Sequence, residues 1–136
     1  MSAFGAIDVG RTGLGFNQYW LEVVSHNVAN VNTVTSPDEA PFRQRFVVAT
    51  PNTDEITPSG SGVRVGGLVE DSTDAALVDS PGHPLANENG QVQLPVVDLA
   101  GQMADLMVAQ RGYQANSRAI NSAREAYASA LRIGNA

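Results

Sequence analysis

The sequence predicts an α+β chain, with long amphipathic helices at both ends packed as a coiled-coil-like bundle and a small β-rich region between them. All seven prolines lie between Pro37 and Pro95, so helix breakers are confined to the middle. Apolar residues recur every seven positions in the first and last stretches. Charge divides at nearly the same places, with residues 1–37 summing to −1, 38–98 to −7 and 99–136 to +2. A chain of 136 residues is about the size of one domain. It is read as an N-terminal helix (1–33), a β-rich middle (34–95) and a long C-terminal helix (96–136).

In the first stretch Ile7, Leu14, Leu21 and Val28 form one column, and Val24 and Val31 supply a second at its upper end. The pattern predicts a helix from about 4 to 30, with bending or fraying at Gly10, Gly13 and Gly15, each costing about 1 kcal/mol relative to Ala. Asn27, Asn30 and Asn32 follow, and asparagine tolerates the left-handed conformation that commonly ends helices. The last stretch repeats the column at Leu99, Leu106, Tyr113, Ile120 and Tyr127, with Met103 and Leu131 beside it. Gln110, Ser117 and Arg124 interrupt that second column, so the seam is weak alone and suits a larger bundle. Ten alanines among residues 96–136 raise helix propensity, and about 36 helical residues span roughly 54 Å.

The middle leans to β structure at Phe42–Thr50, around Val63, Val65 and Val69, and at Val92 and Leu94, giving three or four short strands. Residues 57–62, 80–84 and 87–90 carry turn chemistry, and Asn89-Gly90 suits a tight hairpin. A 60-residue β unit is marginal by itself.

Several function classes are disfavoured by composition. The net charge is −6, all eight cations are arginine, and the longest basic group is Arg43 with Arg45, so nucleic acid is not an expected partner. Zero cysteine removes disulfides, thiolate nucleophiles and Cys-type zinc sites together. Catalysis is not expected: His26 and His83 are the two histidines, and neither sits in a nucleophile-relay motif. The run Gly60 to Gly66 has the wrong glycine spacing for a phosphate loop. Glu70, Asp71, Asp74 and Asp79 lack the ligand alternation of a calcium loop and read as a solvated face. No cofactor or metal is expected. No run approaches the roughly 18 apolar residues of a membrane span, and the opening Met-Ser-Ala-Phe-Gly lacks the regions of a cleaved signal peptide.

Two motifs carry a family resemblance. Ser25 through Ala29, Asn30, Val31, Asn32 and Thr33 resembles the A-N-x-N-T signature of bacterial flagellar axial proteins, the rod, hook and hook-junction family. Gly82-His83-Pro84 through Gly90 and Leu94-Pro95, then Met103, Met107, Ala109, Arg111, Tyr113 and Ala115-Asn116, is similar to the proximal-rod branch of that family. The ending Ala130 to Gly134 and the entry Pro41-Phe42-Arg43 agree with it, while Gln91, Val96 and Gln102 stand where that branch usually has Tyr, Asn and Glu.

The resemblance implies a structural subunit of the basal-body rod that polymerises helically into the hollow drive shaft carrying torque from motor to hook. It implies export through the flagellar type III apparatus without a cleaved signal, and a place in the periplasmic rod. Its neighbours would be other rod proteins, copies of itself, the motor base on the MS-ring and export-gate side, and the distal rod. The expected assembly interface is Ile7, Leu14, Leu21, Val24, Val28, Leu99, Met103, Leu106, Tyr113, Ile120, Tyr127 and Leu131. The alternative from another class is a coiled-coil adaptor outside the flagellum.

Overall fold

A computed structural model describes residues 3–53 and 61–134. The element order is α1 (Ala3–Ala29), β1 (Arg45–Pro51), β2 (Val63–Glu70), β3 (Ala76–Asp79), β4 (Gln91–Leu94) and α2 (Leu99–Gly134). The fold is α+β, with 27-residue and 36-residue helices enclosing the strands in sequence. Of the expected turn at 57–62 and the glycine run from 60 to 66, positions 57–60 lie outside the described residues, and the run from Val63 onward belongs to β2.

α1 runs without interruption through Gly10, Gly13 and Gly15, which corrects the expectation of fraying there. Gly10 and Gly13 are buried against α2, so their missing side chains serve close packing. The helix end is also reached differently from the expectation. Among the described residues no non-glycine has positive φ. The Asn30 side-chain amide instead donates to the His26 carbonyl at 2.8 Å, and the Thr33 hydroxyl donates to Asn30 Oδ1 at 3.1 Å. The Asn30 side chain thus adds a second donor to a carbonyl that already accepts the Asn30 backbone N–H at 3.2 Å.

α2 starts with a conventional cap. Asp98 Oδ1 accepts the Gly101 N–H at 3.1 Å, and the Asp98 carbonyl accepts the first helical bond from Gln102 at 2.9 Å. Pro95, which cannot donate a backbone bond, precedes it in a buried position.

The strands make two two-stranded sheets, β1 with β2 and β3 with β4. The first continues beyond its strands through Asn52 N–H to the Gly62 carbonyl at one end and Asp71 N–H to the Gln44 carbonyl at the other. The second is antiparallel, with Ala76 opposite Leu94 and Asp79 opposite Gln91. β3 was not specified by the sequence reading, because its four residues are all exposed and show no alternation. The tight hairpin expected at Asn89-Gly90 is corrected. β3 and β4 are separated by residues 80–90, and Gly90, at φ +74°, closes a turn by donating its N–H to the Asn87 carbonyl.

The chain divides into two compact units. Unit 1 comprises Met1–Leu21, Val48–Gly67 and Met107–Ala136, and unit 2 comprises Glu22–Val47 and Leu68–Leu106. In unit 1 the buried positions include Gly10, Gly13, Asn17, Ala109 and Ile120. In unit 2 they include Val23, Val24 and Val92 together with Asn27, Gln44, Gln93 and Gln102. Small and polar side chains therefore make up much of the interior.

Candidate assembly interface

The helix seam of unit 1 is built from glycine and asparagine. A Cβ at Gly13 would stand 2.7 to 2.9 Å from the Asn116 side-chain amide, and a Cβ at Gly112 would stand 2.5 Å from Asn17 Oδ1. Each asparagine also donates back to its own helix, Asn17 Nδ2 to the Gly13 carbonyl at 2.7 Å and Asn116 Nδ2 to the Gly112 carbonyl at 3.0 Å. The two helices thus present the same Gly-x-x-x-Asn pattern, each asparagine filling the notch of the other helix's glycine. One turn away, Ile120 lies over Gly10, where an added Cβ would meet its side chain at 2.8 Å. Dense packing of this kind leaves no room for a methyl group without displacement.

Unit 2 is held by a buried polar cluster. Asn27, fully buried, donates through Nδ2 to the Arg45 carbonyl and to Gln102 Oε1, both at 2.8 Å, and accepts the Arg45 N–H at 3.0 Å. Gln44 Oε1 accepts the Asp98 N–H at 3.1 Å. Gln93 donates from Nε2 to the Ser36 and Glu39 carbonyls at 2.7 and 2.8 Å, while its backbone exchanges two bonds with Thr35. Amide side chains suit this task because they donate and accept at once, satisfying backbone groups that have left a regular ladder.

The predicted interface residues separate into three groups. Val24 and Ile120 are buried within the chain; Ile7, Leu14, Leu21, Val28 and Leu106 are half-buried; Leu99, Met103, Tyr113, Tyr127 and Leu131 are exposed. Met107, Val108 and Ile133 join the exposed set on α2. The sequence reading missed Asn17, Asn27, Gln44, Gln93 and Gln102 as packing residues. The signal available for the first was the matching Gly-x-x-x-Asn at 13–17 and 112–116, a pattern that a search for apolar columns passes over.

The groups weighed for chemistry are engaged in local structure. The His26 ring packs against Phe42 with centroids 5.4 Å apart, and His83 Nδ1 accepts the Leu85 N–H at 3.1 Å. Glu70 pairs with Arg45 and Asp74 with Arg43. Asp71 is held below the usual carboxylate range, first by the Thr73 N–H, then by the Thr73 hydroxyl, which donate to Oδ1 at 3.0 and 2.8 Å. Hydrogen bonds to the ionised form favour it. Among the described residues no helix is long and apolar enough to cross a membrane.

A family model described as "Flagellar basal body rod FlgEFG protein C-terminal" matches residues 89–133. The flagellar basal-body rod protein FlgC of Borreliella burgdorferi is 34% identical, the match covering 98% of each chain. The FlgC proteins of Salmonella typhimurium and Bacillus subtilis are 34% and 32% identical, each match covering 98% of this chain and 99% of the relative. The chain belongs to the FlgC family of flagellar basal-body rod proteins. The adaptor alternative gains no support from these matches.

Within this FlgC-family chain the motif residues have assignable places. Ala29, Asn30, Asn32 and Thr33 form the exit from α1, and Asn116 fills the Gly13 notch. Gly82, His83 and Pro84 lie in the loop between β3 and β4, where His83 N–H donates to the Ser80 carbonyl. Pro95 is buried, while Arg111, Tyr113 and Ala115 are exposed on α2. At the three departures, Gln102 is bonded to Asn27, Gln91 donates to Asp79 at 3.1 Å, and Val96 is exposed.

Proposed function

We propose that the chain is a structural subunit of the flagellar rod, polymerising helically with other rod proteins and with copies of itself into the hollow drive shaft between motor and hook. The observation that carries this reading is similarity to FlgC proteins over 98% of the chain. The exposed apolar side chains of α2 support it, since Met103, Met107, Val108, Tyr113 and Leu131 on one helix are more apolar surface than a finished surface helix needs. Contacts of this kind, repeated around a heterologous lattice, would give a stiff tube. The twelve predicted interface residues divide accordingly. Val24 and Ile120 hold the subunit together, and the exposed and half-buried ones meet neighbours.

The same reading places the subunit in the periplasmic part of the basal body, delivered through the type III export apparatus without a cleaved signal. Its neighbours there are the motor base on one side and the distal rod on the other. No catalytic role is proposed. Deleting the gene and complementing it tests the reading: loss and recovery of motility, with the chain found by mass spectrometry in purified basal bodies, is the expected result. Complete basal bodies and normal swimming without the chain would refute it.

A further inference from the structure

Arginines and carboxylates are shared unequally between the units. Unit 2 contains ten of the fourteen carboxylates and two arginines, Arg43 and Arg45, both in ion pairs. Unit 1 contains the other six arginines, and among the described residues no ion pair involves Arg11 or Arg124. These two rim a groove of about 240 Å³ in unit 1 whose apolar lining is Ile7, Leu14 and Ile120, with Ser117 and Asn121 beside them. An apolar floor between two guanidinium groups that have no ion pair among the described residues fits an apolar side chain flanked by carboxylates.

One segment of unit 2 has that form. Residues 74–79 expose Leu77 at 59% and Val78 at 43%, between Asp74 and Asp79. The Asp74 side chain is 97% exposed, and its 3.5 Å contact with Arg43 is a surface ion pair, a kind of contact worth little and readily exchanged. Asp79 is bonded by the neutral Gln91 amide and has no ion pair among the described residues. β3 is hydrogen-bonded to β4 on one side only, so a row of backbone donors and acceptors remains for a neighbour.

We propose that the Arg11 and Arg124 groove of one copy receives the 74–79 segment of a second copy, with Leu77 on the apolar floor and Asp74 and Asp79 toward the guanidinium groups. Groove and segment are different surfaces, so each copy carries one of each and the contact propagates as an open chain. The local match of charge sets register between copies whose net charge of −6 would otherwise repel them. The inference rests on the rod-subunit reading for its premise that copies meet.

Because the chain has no cysteine, an introduced pair reports the contact directly. Ser117→Cys with Leu77→Cys is produced in the flagellated host, basal bodies are purified, and the chain is oxidised and run without reductant. The expected result is a ladder of multimers of this chain that requires both cysteines, reproduced by Asn121→Cys with Val78→Cys should the first pair misfold. Adding Arg11→Glu and Arg124→Glu should weaken the ladder about tenfold or more, and further adding Asp74→Arg and Asp79→Arg should restore it. Basal bodies containing the chain but giving no ladder, cross-links exclusively to another rod protein, or a ladder indifferent to charge reversal would overturn the inference and leave the rod reading standing. Absence of the unmodified chain from basal bodies would overturn both.

Discussion

Asn17 on α1 lies over Gly112 on α2 so closely that a Cβ there would stand 2.5 Å from the asparagine oxygen. The reciprocal arrangement of Asn116 over Gly13 makes the seam a pair of interlocked notches in which glycine is required for space. Two opposing effects meet at such a position, since alanine is the better helix former by about 1 kcal/mol while overpacking a tight contact costs about 1–3 kcal/mol.

Gly112→Ala and Gly13→Ala are therefore expected to lower stability despite improved helix propensity, whereas Gly15→Ala, whose Cβ would meet nothing within 4 Å, should raise it by about 0.5–1 kcal/mol. Urea unfolding of the three variants checks this. Equal gains at all three positions would mean that the seam is loose.

Removing the Asn27 amide should have a larger effect. Asn27→Leu leaves the Arg45 N–H, the Arg45 carbonyl and Gln102 Oε1 without their partner, and each buried group left unpaired costs about 1–3 kcal/mol. A fall in stability of at least about 2 kcal/mol is expected, with faster hydrogen exchange at the Arg45 amide as the local readout.

Gln93 holds residues 36–39 through two carbonyls. Gln93→Leu is expected to increase proteolytic cleavage within 36–41 while α2 remains protected. At the neighbouring Thr35, the buried hydroxyl has no hydrogen-bond partner among the described residues. Thr35→Val should consequently be neutral or stabilising, by up to about 1 kcal/mol.

The depressed Asp71 carboxyl gives a pH dependence of known sign. Its folded value lies below the ordinary 3.8, so its contribution to stability is present above that value and is lost as pH falls through the lowered one. Thr73→Val removes the hydroxyl donor and should move the Asp71 titration upward toward 3.8, as followed by NMR of the carboxyl carbon. An unchanged titration would assign the shift to the backbone donor alone.

Both helices were legible in the sequence because proline-free heptad patterning is a strong and local signal, and α2 has the expected length of 36 residues. The packing between them was less legible. A hydrophobic column, of which Ile120 is a member, marks which face of a helix seeks cover, but Gly10, Gly13, Asn17, Gly112 and Asn116 lie beside those columns and provide close approach. β3 was not specified because all four of its residues are exposed, leaving no alternation to read. The amide cluster around Asn27 brings together residues up to 75 positions apart, and nothing in local composition announces such a pairing. The family motifs carried function farther than the energetics of single residues did, since a subunit's exposed apolar face does not name its neighbour.

Cryo-electron microscopy of basal bodies purified from the native host would show whether this chain builds the rod. The expected result is rod density into which this chain fits, with both helices in the tube wall and the exposed side chains of α2, Met103, Tyr113 and Leu131 among them, covered by neighbouring subunits. A fully resolved rod composed of other proteins, with no density for this chain, would contradict it.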